Sequence, residues 1–322
     1  MMEVLFAQSM LGGSLSSSNE TLREAAELLL WFPYRWGLSL VGAPRVLRNN
    51  GWLGWFSAHL RDEEVDAVAQ IISDALPHST DPGKIARQVL AARVVDGLAP
   101  LCYPRLDENT LHKVVRFHGL LHIERSRKEG HGCILALPHM GPMGLLLLGL
   151  SNQGYPVNRL IDGEEAQEES RWSWALQGIQ DELEQHLPGA AFDARGYLRP
   201  IIRRLQGGEV AVMAYDGTPG DVDIGRRIVV RLLGREVEFP VGPVYLALRA
   251  GVPLHPTVIV AGAHGGFDVH IEPALSLDRE GPLNAALEDG AQKLATHLEA
   301  YLKVNPGAWR VWPRFVSGQM IR

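Results

Sequence analysis

A histidine set between an apolar strand and a glycine-rich helix entrance stands where proton transfer can be done. The run Cys133-Ile-Leu-Ala-Leu-Pro-His139-Met-Gly-Pro-Met-Gly144 has this form. An imidazole is the usual base for a hydroxyl or amine that must lose a proton as it attacks a carbonyl. His139 is therefore the candidate centre of chemistry, and a structural histidine satisfied within the sheet is the alternative. A second strand-like run, Glu209-Val-Ala-Val-Met-Ala-Tyr, ends at Asp216, followed by Gly-Thr-Pro-Gly. That aspartate either belongs to a site or serves the turn. Other chemistries lack their residues. There is no Gly-x-Ser-x-Gly elbow for a serine hydrolase, and neither dinucleotide- nor phosphate-binding glycine fingerprint occurs. His118, His122, His131, His255, His264 and His270 show no metal-ligand spacing, so no metal and no bound cofactor is expected.

The elements that must position His139 read as an α/β fold, with a mostly parallel central sheet flanked by helices and a helical N-terminal portion. Residues 1–110 form that portion and residues 111–322 the α/β part, packed as one unit. Residues 1 to about 20 are Ser/Gly-rich and read as loose. A helix follows from Thr21. Its continuation, Leu28 to Val41, carries Trp31, Phe32, Tyr34 and Trp36 beside Arg23, Arg35 and Arg45, which suits either a membrane-interface helix or a core helix broken at Pro33. Apolar spacing predicts helices over 62–76 and 83–97. Strand-like runs follow at Val114–Gly119 and Leu120–Glu124, then the strand 133–137. Beyond it come an apolar helix from Met143, a strand at Pro156–Ile161, helices at Glu164–Leu187 and Tyr197–Gln206, and the strand ending at Asp216. A hairpin over 227–239 turns at Gly234. A helix at 242–250, a strand at 254–260, an edge strand at 267–271 and a helix at 287–303 complete the alternation of an α/β sheet.

The 322 residues, 46% of them hydrophobic, are enough for a large core. A formal net charge of −6 argues against a nucleic-acid partner. Two cysteines, Cys102 and Cys133, give no disulfide framework and point to a reducing, cytoplasmic compartment. No apolar stretch is long enough to span a bilayer, so a soluble protein, or one peripheral on the inner membrane face, is expected.

Several segments, taken in order, resemble the lipid A late acyltransferase family. These are Leu137-Pro-His-Met-Gly, Met213-Ala-Tyr-Asp-Gly, Phe239-Pro-Val-Gly-Pro, the Val252-Pro-Leu-His-Pro strand and Pro306-Gly-Ala-Trp-Arg-Val-Trp-Pro-Arg-Phe. That family includes the phosphatidylinositol mannoside acyltransferases and lies within the lysophospholipid acyltransferase superfamily. The resemblance covers roughly residues 110–320. It implies transfer of an acyl group from an acyl thioester, acyl-CoA or acyl carrier protein, to a hydroxyl or amine of a lipid, glycolipid or secondary-metabolite acceptor. His139 would be the general base. Backbone N–H groups of Met140 and Gly141 would face the oxyanion, with Gly242 and Pro243 lining the same pocket. Arg159 would meet a phosphate or carboxylate, unless it forms a surface ion pair with Glu164 or Glu165. Arg226, Arg227, Arg231 and Arg235 could face CoA, an acidic carrier protein or anionic lipid, although alternation in a solvated hairpin explains them too. The lipid A enzymes carry a long N-terminal membrane helix that this sequence lacks, which leaves a soluble acceptor open.

One residue departs from the family pattern. There, four residues separate the histidine from an Asp or Glu that orients the imidazole; here that position is Gly144, and no acid occurs before Asp162. Three readings follow. Asp216 reaches the imidazole from a neighbouring strand end, since parallel strands deliver their C-terminal ends to one crevice. Alternatively, His139 works unassisted. In the third, the chain is a catalytically altered relative that binds an acyl or carrier-protein partner without transfer.

Overall fold

The computed structural model describes residues 40–49, 51–59, 61–79, 81–161, 182–183, 185–194, 196–217 and 225–315. Its centre is strand β2 (Cys133–Leu137), five residues with no exposed side chain. Ile134 and Ala136 join one apolar cluster, and Cys133, Leu135 and Leu137 join another. Side chains of a strand alternate between faces, so an unbroken apolar run is what a strand covered on both sides requires. Burial pushes the Cys133 and Cys102 thiols up to about 12, which leaves both as packing groups.

Around β2 lie β1 (Val115–His118), β3 (Val157–Ile161), β4 (Ala190–Asp193), β5 (Val210–Ala214), β8 (Leu254–Ala261) and β9 (Phe267–Ile271). Their order is β1-β9-β8-β2-β5-β3-β4. Every pairing is parallel except β8 with β9. The 267–271 strand is therefore internal, because β1 covers the side expected to be free. The expected strand at Leu120–Glu124 is a helix. Gly119, at φ 91°, ends β1, and Ile123 and Ser126 are then buried at helical spacing in Leu120–Lys128. Val114 closes the short helix Glu108–Val114 instead of opening β1. Strand β4 had no expected counterpart. The helix expected at Glu164–Leu187 and the aromatic segment before residue 40 lie outside the described residues, apart from Leu183 and the few positions around it.

The hairpin of β6 (Arg227–Leu232) and β7 (Arg235–Pro240) turns through Leu233 and Gly234, both at positive φ (51° and 76°), the two-residue turn that matches strand twist. The C-terminal helix Leu283–Val304 holds it. The Gln292 amide donates to the Arg231 carbonyl and accepts from the Arg231 N–H at 2.9 and 2.8 Å, as a neighbouring strand would.

Helices α1 (Ala43–Asn49), α2 (Gly51–His59), α3 (Asp62–Ala75) and α4 (Pro82–Leu98) precede the sheet. Val65, Val68, Ile72 and Ala75 form the buried stripe of α3, while Asp81 caps α4 by accepting from the Lys84 N–H at 2.8 Å. A Cβ on Gly54 would lie 2.5 Å from the Ala91 carbonyl oxygen, so α2 can lie this close to α4 only through a glycine. A 3₁₀ segment, Ala99–Arg105, leads on from α4. Helices α2, α3 and the first half of α4 share one apolar cluster with Ile134, Met140 and Trp309, while α1 and the 3₁₀ segment join the other. No helix among the described residues is long and apolar enough to cross a membrane.

Candidate active site

Strand register decides which side chains meet. Leu137 of β2 lies opposite Ala214 of β5 in a parallel pair, and the Tyr215 N–H extends the ladder to the Leu137 carbonyl at 3.1 Å. Two residues beyond that pair, His139 and Asp216 emerge side by side. Asp216 Oδ1 lies 2.6 Å from His139 Nδ1, and Oδ2 accepts from the His139 backbone N–H at 2.8 Å. Trp309 Nε1–H donates to Oδ2 at 2.7 Å. Asp216 is fully buried, whereas the His139 side chain keeps 14% of its surface exposed.

Burial by itself would raise the Asp216 pKa. The facing His139 charge and the hydrogen bonds from His139 and Trp309 outweigh it and hold the carboxyl below the ordinary range. With an ionised acceptor on Nδ1, the proton of a neutral ring sits on Nδ1 and the Nε2 lone pair is left for another partner. The arrangement can therefore orient a base and stabilise its protonated form.

The C-terminal segment locks this corner. Met140 bridges to Trp309, and the Arg310 N–H donates to the His139 carbonyl at 3.1 Å. Trp309, Trp312 and Phe315 pack edge to face with centroids 5.1 to 5.8 Å apart, all fully buried. From the other side, Gly141 at φ 69° lies so close to Ile259 that a Cβ would come within 2.7 Å of its side chain. Both the turn and the approach require glycine here.

Gly144 lies in the first turn of the helix Met143–Asn152. A Cβ there would lie 2.3 to 2.5 Å from the ring and hydroxyl of Tyr103. The place where the resemblance expects an acid is thus filled by a tyrosine from the 3₁₀ segment. Behind it sits Asp96 of α4, 3% exposed and 3.0 Å from Arg310 Nε. Neither Asp96 Oδ2 nor Arg310 Nε makes an aligned hydrogen bond, so the pair is ionic in distance only. Burial raises Asp96 to about 6, against the lowering charges of Arg310 and His139.

The other sequence-derived candidates fall as follows. The Met140 N–H donates to the Pro138 carbonyl at 2.6 Å, which commits that donor. Gly242 and Pro243 open the helix Gly242–Ala250, with Gly242 against Met213 of β5. Arg159 is buried, not on the surface, and its Cα faces Val212, four residues before Asp216 along the neighbouring strand, or about 13 Å at strand rise. Glu164 and Glu165 lie outside the described residues. On the hairpin, Arg231 faces Glu236 and Val229 faces Glu238 across the strands, so acidic residues interleave with the arginines. Trp309, Arg310, Tyr103 and Asp96 have no role predicted from sequence. Trp309 and Arg310 lie in the Pro306-to-Phe315 segment that carries the family resemblance, and Asp96 is the single carboxylate within Val94-Val-Asp-Gly-Leu-Ala-Pro-Leu.

No curated protein matches this chain. The family model of the bacterial lipid A biosynthesis acyltransferases matches residues 29–314, which contain every group of the site, and the chain belongs to that family.

Proposed function

We infer that the protein transfers an acyl group from an acyl thioester, on CoA or a carrier protein, to a hydroxyl or amine of a lipid A-like acceptor. The carrying observation is the 2.6 Å contact between His139 Nδ1 and Asp216 Oδ1, which leaves Nε2 as the base. Nε2 takes the proton of the acceptor O–H or N–H as the heteroatom bonds to the thioester carbonyl carbon. The carbonyl electron pair moves to oxygen, and the Gly141 N–H is the donor in this loop suited to that oxyanion. Collapse re-forms the carbonyl and breaks the C–S bond. The departing thiolate then takes the proton from Nε2. Asp216 stays ionised throughout and stabilises the imidazolium. Exposed Leu40, Trp55 and Phe56, at 88%, 59% and 54% of their surface, support a peripheral lipid contact of the N-terminal helices.

The test is thiol release from palmitoyl-CoA and from a palmitoyl carrier protein, with a lipid A-like glycolipid as acceptor. The parent protein is expected to transfer the chain and His139→Ala to lose at least about 10³-fold. Undiminished turnover by His139→Ala would remove the base from its role. A parent that retains the acyl donor without transferring it is a binding protein instead.

A further inference from the structure

The groups that hold His139 in place are themselves held from the helical portion. Trp309 binds the carboxylate of Asp216, and the next residue, Arg310, binds the backbone carbonyl of His139. The Arg310 side chain ends 3.0 Å from Asp96 on α4. Gly307, just before this clamp, lies so close to α4 that a Cβ would come 2.6 Å from Gln88. Three titratable groups face Asp96, the Arg310 guanidinium, the His139 imidazole and the Tyr103 phenol, and beyond Arg310 lies Arg93, paired with Glu64 at 2.7 Å.

We propose that Asp96 is a positioning residue for His139, anchoring through Arg310 the segment that clamps both dyad groups. The space left by Gly144 is filled by Tyr103, and the anchor of the clamp comes from α4. Asp96 Oδ2 and Arg310 Nε are both buried without an aligned hydrogen bond. A buried pair left this way adds little to stability, so a role beyond stability accounts for it better. The group it can hold is His139, whose carbonyl accepts from the Arg310 N–H at 3.1 Å.

This inference rests on His139 being the base, but its test needs no turnover. Carbethoxylation by diethyl pyrocarbonate requires a neutral imidazole and is read for His139 by peptide mass spectrometry on the full-length protein. Exposed His112 serves as the internal standard. Loss of the anchor loosens the clamp over His139, so at pH 8 Asp96→Asn and Arg310→Met are each expected to modify His139 about threefold faster than the parent. Asp96→Glu should return to the parent rate. A general loosening of the fold would also speed modification of the buried His255. A His139 rate equal to the parent's in either variant, or acceleration of His255 alongside His139, overturns the proposal. Failure of acyl transfer with this pattern intact would instead fall on the functional reading alone.

Discussion

The sheet end that carries Asp216 and the helical end that carries Asp96 each bury a carboxylate coupled to the same histidine, and they treat it in opposite ways. Asp216 receives three N–H donors at 2.6 to 2.8 Å and is held below the ordinary carboxylate range. Asp96 faces one guanidinium at 3.0 Å without hydrogen-bond alignment and is raised to about 6. Burial penalises both charges. Aligned donors decide the outcome: where they are complete the charge is fixed, and where they are missing it becomes sensitive to pH.

The comparison breaks most visibly in turnover. Asp216→Asn should lower acyl transfer about 10²- to 10⁴-fold by analogy with other base and orienter pairs, with little change in KM. Asp96→Asn should cost about tenfold. Equal losses in steady-state kinetics would erase the distinction between orienting acid and positioning residue.

The pH dependence of stability comes next and differs in sign. Asp96 is raised on folding, so its contribution is full below the unfolded pKa of about 4 and is lost as pH climbs through about 6. The parent should therefore lose stability relative to Asp96→Asn over that window, by at most about 3 kcal/mol. Asp216 is lowered, so its contribution is present above the unfolded carboxylate pKa and disappears as pH falls through the folded one. Urea denaturation of parent, Asp96→Asn and Asp216→Asn from pH 4 to 8 should give difference curves of opposite slope.

Trp309→Phe sharpens the donor argument. The ring packing survives while one of three donors to a buried carboxylate is removed, which should cost about 2 kcal/mol in denaturant unfolding and slow transfer less than Asp216→Asn does. The smallest effect expected is at Gly144→Ala. Its methyl group meets the Tyr103 ring, and overpacking of this kind costs about 1 to 2 kcal/mol in the same measurement. A neutral Gly144→Ala would show that Tyr103 yields easily and does not fill the vacated place.

How much of this was legible depended on whether the physics was local. The β2 run is apolar at every position, so a doubly covered strand ending at Pro138 and His139 could be read directly. Asp216 could be proposed as its partner because parallel strands share an end. Leu120–Glu124 misled because a run of five residues fits either period, and the deciding residue was Gly119 beside it. The place of 267–271 within the sheet depended on β1, whose pairing with it bridges most of the chain. The roles of Trp309, Arg310, Asp96 and Tyr103 stayed hidden for the same reason, although the segment that holds Trp309 and Arg310 was itself legible. Each reaches the site by docking of a distant segment, and no spacing within any one segment records it. The Met140 amide is different, since the turn that commits it to Pro138 becomes visible only with the backbone in place.

The pairing of Leu137 with Ala214 carries a further consequence for how such a site can change over time. The dyad exists because two strands leave a shared rung in step and remain in phase for two residues. One added residue between Ala214 and Asp216 would turn the carboxylate to the opposite face of the sheet with every atom of the acid still present. An orienting acid supplied from a helix one turn past the histidine tolerates different errors from one supplied by strand phase. In this protein, single-residue insertions and deletions after β2 and β5 are more dangerous to the chemistry than most substitutions in the same loops.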